Sequence, residues 1–369
     1  MVKKKIGLLF GGKSAEHEVS LQSAKNVMEA IDPSKYDVVL IGIDKSGKWH
    51  LNDASHFLLN SEDPKLIALN KTNKGIAVVP GETENQLVNT EGMEALGQLD
   101  VIFPILHGTL GEDGSVQGML RMANIPFVGS NVLGSAISMD KDIAKRLLRD
   151  AGLKVANSYT YTRTRASKSS ISFDEIKQQL NLPLFIKPAN QGSSVGVSKV
   201  HTQEEFEKGI ESAFNYDHKI LIEEAIQGRE IECSVLGNEN PIASIPGEIV
   251  ATADFYSYEA KYIDENGAAL EIPAKLSEDV TKQIQEVAIK AFKALNCEGM
   301  ARVDVFLTKN NEIIINEINT IPGFTKISMY PKLWELSGIP YSQLIDELIN
   351  LALERHQRDS FLNSSFESK

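Results

Sequence analysis

The sequence predicts an α/β protein, and three observations carry that expectation: a strand–helix–strand opening, a second buried strand that runs into a glycine-rich loop, and a late hairpin of two apolar strands. In the opening, Ile6-Gly7-Leu8-Leu9-Phe10 reads as a buried strand and Gly11-Gly12-Lys13-Ser14 as a turn. Val19 to Ile31 follows as a helix and Val38-Val39-Leu40-Ile41-Gly42-Ile43 as the second strand. Val101-Ile102-Phe103-Pro104-Ile105-Leu106 is a continuous apolar run of strand length. His107-Gly108 and Gly111-Glu112-Asp113-Gly114 come after it, at the strand end where such sheets place ligand loops. The stretch Thr162 to Ser172, rich in Arg, Lys and Ser, reads as an exposed excursion within a middle segment and not as a domain boundary. Leu184-Phe185-Ile186-Lys187-Pro188 is the next strand. Val280, Ile284, Val287, Ala288, Ala291, Phe292 and Leu295 recur at helical spacing and predict a helix over Ser277 to Leu295 that packs on the following hairpin. The hairpin runs from Arg302-Val303-Asp304-Val305-Phe306-Leu307 through a turn at Thr308 to Glu312 and back to Asn316-Glu317-Ile318-Asn319. A last amphipathic helix covers Tyr341 to about Arg355, and the polar end, Ser360 to Lys369, is expected to fray.

Composition narrows the function classes. A chain of 369 residues with 42% hydrophobic and 24% charged residues has room for two or three packed domains. A formal net charge of −12 argues against a nucleic-acid groove or an anionic membrane surface, so an anionic substrate needs local cations or a metal. Cys233 and Cys297 are far apart and read as core residues, not as a disulfide framework or zinc site. The basic start, Met1 to Lys5, is followed by too short an apolar run for a signal peptide, and no stretch approaches membrane-span length. A cytoplasmic protein is expected.

Two patterns carry chemistry. Alternate strand residues share a face, which places Arg302 with Asp304, and Glu317 with Asn319 on the partner strand. Asp304, Glu317 and Asn319 are hard oxygen donors of the kind that hold Mg²⁺ together with substrate phosphates. A solvated polar hairpin face is the plainer alternative. The second pattern is Gly192-Ser193-Ser194-Val195-Gly196-Val197, a turn whose backbone N–H groups suit an anion, fed by Lys187 from the preceding strand. Lys141 is a further candidate cation. Each feature alone is ordinary, and their joint occurrence points to a triphosphate and metal site.

These residues resemble the ATP-grasp superfamily, and the remaining motifs are similar to its D-alanine:D-alanine ligase family from about Lys5 to Arg355. The matching segments in order are Gly11 to Ser20; His107-Gly108 with Gly111 to Gly114; Met139-Asp140-Lys141; Ile186-Lys187-Pro188 with Gly192 to Gly196; Glu223 to Glu230; Glu259-Ala260-Lys261-Tyr262; Arg302-Val303-Asp304; Asn316 to Thr325; and Ser328-Met329. The resemblance implies a three-domain ATP-grasp fold. Its parts are an N-terminal Rossmann-like α/β domain over residues 1–127, a central domain over 128–222, a C-terminal domain over 223–358 and a flexible tail over 359–369.

It also implies ATP-dependent joining of two D-alanines through a D-alanyl phosphate, for bacterial peptidoglycan precursors. Lys141, Lys187, Ser193 and Ser194 would hold phosphates, with Lys261 also counted in the nucleotide site. Glu223, Glu224 and Ile226 would form the adenine linker, and Glu230 would meet the ribose. Glu224 stands where several relatives carry lysine. Asp304, Glu317 and Asn319 would hold Mg²⁺ or Mn²⁺, two ions in all, with K⁺ as an activator. Arg302 and the Gly323 N–H would form the oxyanion hole. Glu16 would bind the first D-alanine ammonium, His107 would lie near that substrate, and Ser328 and Met329 would meet the second carboxylate. Tyr262, connected to Ser193 and Glu16, would favour an amine over a hydroxyl nucleophile. A homodimer is the usual assembly in the family. The rivals are D-lactate as second substrate, a nicotinamide oxidoreductase, disfavoured because Gly11 to Glu16 lacks the Gly-x-Gly-x-x-Gly spacing, and an ATP-binding regulator without turnover.

Overall fold

The computed structural model describes residues 2–363 other than 73, 83, 92–94, 96, 164–170 and 252–267. Lys261 and Tyr262 fall outside the described residues, as does the end of the tail from 364 onward. Among the described residues no helix is long and apolar enough to cross a membrane.

The opening is the expected strand–helix–strand unit. β1 (Lys4–Gly11) pairs in parallel with β2 (Tyr36–Ile43), with α1 (His17–Ala30) between them in sequence, and β1 also pairs in parallel with β8 (Val101–Ile105). β3 (Trp49–Asn52) adds an antiparallel edge to give the order β3-β2-β1-β8. β4 (Leu58–Leu59) with β5 (Ala68–Leu69), and β6 (Ile76–Val78) with β7 (Leu87–Asn89), form two small ribbons in the β3–β8 crossover. Both faces of the first sheet are covered, which explains the unbroken apolar runs of β1 and β8. α2 (Ser115–Met122) closes one face through Val116 and Leu120.

α3 (Val132–Met139) and α4 (Lys141–Asp150) are separate helices meeting at Asp140, whose side chain accepts from Ile143 N and so caps α4. The second sheet is antiparallel, in the order β11-β10-β12-β9, from β9 (Ser158–Thr162), β10 (Leu184–Pro188), β11 (Ser198–Val200) and β12 (Lys219–Glu224). Strands on both sides of the polar 162–172 stretch belong to this one sheet, so that stretch does interrupt a single unit. α5 (Phe173–Leu180) and α6 (Gln203–Ala213) share its core through Ile176, Leu180 and Phe206.

The third sheet follows the order β16-β15-β13-β17-β18, with β14 beside β13. Its strands are β13 (Arg229–Gly237), β14 (Ile242–Ala243), β15 (Gly247–Ala251), β16 (Ala268–Glu271), β17 (Gly299–Leu307) and β18 (Ile313–Asn319). α7 (Glu278–Ala294) is capped by Ser277 and packs Ile284, Ala288 and Phe292 against Val303 and Val305 of β17, as its apolar spacing predicts. α8 (Met329–Leu336) and α9 (Tyr341–Ser360) return to the first sheet: Trp334, Leu344 and Leu348 join Ile6, Phe103 and Ile105 in one core.

α9 runs past the expected end near Arg355, to Ser360, and so takes in the first two residues of the expected tail. Tertiary contacts hold its last turns. Arg355 is buried, donating to the carbonyls of Gly129 and Phe127, and Arg358 Nη1 lies 2.8 Å from Glu298 Oε1.

Candidate active site

The hairpin acids and Arg302 share one face of the third sheet. Register sets Glu232 of β13 opposite Asp304 of β17, and Asp304 opposite Glu317 of β18. Three carboxylates therefore form a row across adjacent strands, where like charges repel. Arg302 offsets that charge, with Nε and Nη2 donating to the two oxygens of Asp304, each at 2.7 Å, and Nε 2.9 Å from Glu232 Oε2. Asn319 Nδ2 donates to Asp304 Oδ2 at 3.0 Å, and Lys141 Nζ is 3.7 Å from Glu317 Oε2. The register slips between Asp304 and Val305, which leaves Asn316 as an extra residue on β18. Asn316 lines the site together with Glu317, a position that strict strand alternation does not assign to that face.

The donor set fits a small divalent cation. Asp304 and Glu317 bring carboxylates and Asn319 an amide oxygen, all hard ligands on one face. Among the described residues no cluster of three or more His, Cys, Asp or Glu forms a metal cage. A carboxylate pair with room beside it is the arrangement in which phosphate oxygens and water complete the cation's shell.

Two cavities meet at the glycine–serine turn. One, of about 380 Å³, is lined by Lys141, Lys187, Ser193, Ser194, Glu223, Glu224, Ile226 and Glu230. The other, of about 130 Å³, is lined by Glu16, His107, Arg302, Asp304, Gly323, Ser328 and Met329. Gly192, Ser193, Glu230 and Glu317 line both. The turn hangs between the second sheet and the third, so folding brings together residues far apart in sequence.

Each side of the turn is charged. Lys141 Nζ donates to Gln191 O at 2.6 Å, and Lys187 Nζ is 2.6 Å from Glu223 Oε2. Ser193 and Ser194 take φ values of 49° and 60°, two consecutive left-handed non-glycine residues, a strain that is concentrated at functional sites. Glu224, at the rim of the larger cavity, is engaged through its Oε1, which accepts from Asn157 N at 2.7 Å.

Glu16 caps the start of α1 without a side-chain cap bond and accepts instead from Ser193 Oγ. A Cβ on Gly108 would lie 2.5 Å from Glu16 Oε2, and φ is +75° there, so only glycine fits. His107 is buried, not solvated. Its Nδ1 donates to Ile321 O at 3.0 Å and its Nε2 accepts from Ser23 Oγ at 3.2 Å. Burial pulls its pKa down to about 4, which keeps the ring neutral.

Glu112 grips the same residue from the other side. Its Oε1 accepts from Ile321 N at 3.0 Å and its Oε2 from Gly108 N at 2.8 Å. Burial, followed by the charge of Glu16, raises its pKa to about 8. Ile321 is thus held by both backbone groups, two residues before Gly323. The motif Gly111-Glu112-Asp113-Gly114 was visible in the sequence, yet nothing local shows that Glu112 reaches a strand end 209 positions away. Ser328 sits at the N-terminus of α8, where Met329 begins the helix and its free N–H groups favour a carboxylate.

Known proteins resemble the chain along nearly its whole length. The family model described as D-ala D-ala ligase N-terminus matches residues 5–130, and that described as D-ala D-ala ligase C-terminus matches residues 147–350. The chain is 71% identical over 364 residues to the D-alanine–D-alanine ligase of Oceanobacillus iheyensis, with 99% of each chain covered. It is similar to the solved VanG D-Ala:D-Ser ligase from Enterococcus faecalis, at TM-score 0.83 and 39% identity over 95% of this chain and 100% of that one. It is also similar to the D-alanine–D-alanine ligase from Bacillus anthracis complexed with ATP, at TM-score 0.71 and 28% identity over 96% and 99% of the two chains. With a parallel α/β domain, two antiparallel sheets enclosing the cleft, and both family models matched, the chain belongs to the D-alanine:D-alanine ligase family of ATP-grasp enzymes.

Proposed function

We propose that the chain joins two D-alanines into D-alanyl-D-alanine, using ATP to form a D-alanyl phosphate that the second amine attacks. The observation that carries the reading is the shared wall. Gly192, Ser193 and Glu317 stand between a nucleotide-sized cleft and a pocket that presents the Glu16 carboxylate, the Arg302 guanidinium and the N-terminus of α8. A terminal phosphate at that wall meets an amino-acid carboxylate, which is the contact that phosphoryl transfer requires.

The roles then follow from chemistry. Lys141, Lys187 and the Ser193–Ser194 turn neutralise and cradle phosphates, with Lys261 a further cation of the site. Glu223 to Ile226 line the base end of the cleft, and Glu230 is near enough to both cavities for the ribose. Asp304, Glu317 and Asn319 would hold Mg²⁺ or Mn²⁺, two ions, which would neutralise charge on the phosphate oxygens. Glu16 receives the first D-alanine ammonium, and His107 closes the wall beside it. Arg302 and the Gly323 N–H donate to the oxyanion that forms when the amine adds to the acyl phosphate. The His107 and Glu112 bonds to Ile321 hold the Gly323 peptide in its place beforehand. The second D-alanine carboxylate lies at Ser328 and Met329. Tyr262 biases the nucleophile toward an amine.

The same reading carries the domain division 1–127, 128–222 and 223–358, a cytoplasmic homodimer, and activation by K⁺. Product analysis by mass spectrometry tests it. Incubation with ATP, Mg²⁺ and D-alanine should give D-alanyl-D-alanine, ADP and phosphate. A product formed only when D-lactate or D-serine is added would overturn the choice of second substrate, and no ATP-dependent ligation at all would overturn the reaction.

A further inference from the structure

Lys145 lies one helical turn after Lys141 on α4, but unlike Lys141 it does not line either cavity. Its side chain is 2% exposed, and its Nζ is 3.1 Å from Glu223 Oε1, an ion pair without hydrogen-bond alignment. The other Glu223 oxygen, Oε2, holds Lys187 at 2.6 Å. One buried carboxylate thus sits between two ammonium groups, one sealed in the protein and one at the cleft. The arrangement is asymmetric in what each cation can do. Lys187 can turn to a ligand in the cleft, whereas Lys145 has nowhere else to go.

We propose that Lys145 is a positioning residue of the nucleotide site, the fixed counter-charge of Glu223 that allows the Lys187 ammonium to leave Glu223 for a phosphate oxygen. The inference rests on the reading of Lys187 as a phosphate lysine. A buried carboxylate stripped of its only cation is strongly disfavoured, so in a chain without Lys145 the Glu223–Lys187 pair would resist separation and nucleotide would bind against that resistance. With Lys145 in place Glu223 keeps one cation throughout: burial pulls the Lys145 pKa down, and the facing Glu223 carboxylate is the charge that opposes that pull. Burial pushes the Glu223 carboxyl up, but the charges of Lys145 and Lys187 outweigh it and keep Glu223 below the usual range, so a charge is present to be balanced.

The test is a double-mutant cycle on the full-length enzyme, reading Kd for a non-hydrolysable ATP analogue with Mg²⁺ and the KM values for ATP and D-alanine. Lys145→Met should weaken the analogue by roughly tenfold or more, in the range of coupling between contacting buried charges. Its KM for D-alanine at saturating ATP should stay within about twofold, because ground-state contacts in the second pocket are untouched. In a Glu223→Gln background, where no charge needs balancing, adding Lys145→Met should cost little further. An equal loss in both backgrounds, or an unchanged Kd in Lys145→Met, would overturn the proposal by showing a packing role or none. If Lys145→Met does not fold, the comparison of Glu223→Gln with the double variant decides alone, since a large further loss there contradicts the charge argument. Lys187→Met separates this idea from the reading beneath it. If that variant binds the analogue like wild type, the phosphate role of Lys187 falls; if it binds weakly while Lys145→Met does not, only the role of Lys145 falls.

Discussion

Asparagine at Asp304 would remove the middle member of the carboxylate row while keeping its shape. The opposed acids, Glu232 and Glu317, stand at cross-strand spacing from it. At roughly 5 Å and an effective dielectric of about 20, each repels Asp304 by about 3 kcal/mol. Against those two terms stands one ionic attraction, to Arg302, worth about 4 kcal/mol at charge separations near 4 Å under the same screening, while the hydrogen bond from Asn319 can be kept by the amide oxygen of an asparagine. Asp304→Asn removes all three, and Arg302 keeps its pair with Glu232 at 2.9 Å. The Asp304 and Glu317 side chains are 13% and 25% exposed, so part of each term is screened by solvent. The expected result is a folded variant between about 0 and 2 kcal/mol more stable than wild type in urea titration without ligands. Turnover should be lost, and the extra thermal stabilisation that Mg²⁺ adds to ATP binding should go with it. A variant destabilised by more than about 2 kcal/mol would refute the argument, because Asp304 would then be a structural partner of Arg302 in which attraction outweighs repulsion. Near-wild-type turnover at ordinary Mg²⁺ would refute the metal assignment.

Arg302→Ala should lower kcat by roughly 100-fold or more, the size of a lost oxyanion donor, and a steady-state assay that finds only KM raised would move Arg302 to ground-state binding. Glu112→Gln should flatten the pH dependence of stability. The folded pKa of Glu112, raised by burial and Glu16 to about 8, lies above the ordinary carboxyl value, so its contribution is full at low pH and is lost as pH climbs through about 8. Wild type should lose about 2–3 kcal/mol relative to Glu112→Gln between roughly pH 6 and pH 9, and parallel urea curves across that range would contradict the protonated state. Tyr262→Phe should retain ATP binding but raise the D-lactate to D-alanine product ratio in competition assays, most at low pH, where the amine is protonated and the hydroxyl is not. An unchanged ratio from about pH 6 to pH 9 would remove that role from Tyr262 and shift selectivity to Ser328 and Met329.

Most of the site's outline is legible along the chain because the features are local. Alternation on a strand places Arg302 with Asp304 and Glu317 with Asn319 whatever the sheet around them, and the hairpin turn at Thr308 to Glu312 joins the two strands. The Gly192 to Gly196 turn is visible as a tight turn by its residue types. What escapes local reading is every contact that depends on which strand becomes a neighbour or on what a helix buries. Glu232 carries no motif and becomes part of the site only because β13 pairs with β17. Asn316 enters through a register slip that no pattern of period two contains. Glu112 belongs to the Gly111 to Gly114 motif, but its grip on Ile321 spans the first and third sheets.

The sequence by itself determined the α/β class, the strand faces and the identity of the polar groups, because propensity, periodicity and hydrogen-bond capacity belong to residues and their near neighbours. Only the tertiary structure decided which charges balance one another. Lys145 looks like any helix-surface lysine from its surroundings in sequence, yet folding buries it against Glu223, and Glu16, 177 positions from Ser193, accepts its hydrogen bond. Electrostatic energy depends on distance and burial, and both are set by the packing of sheets that meet only in the folded chain.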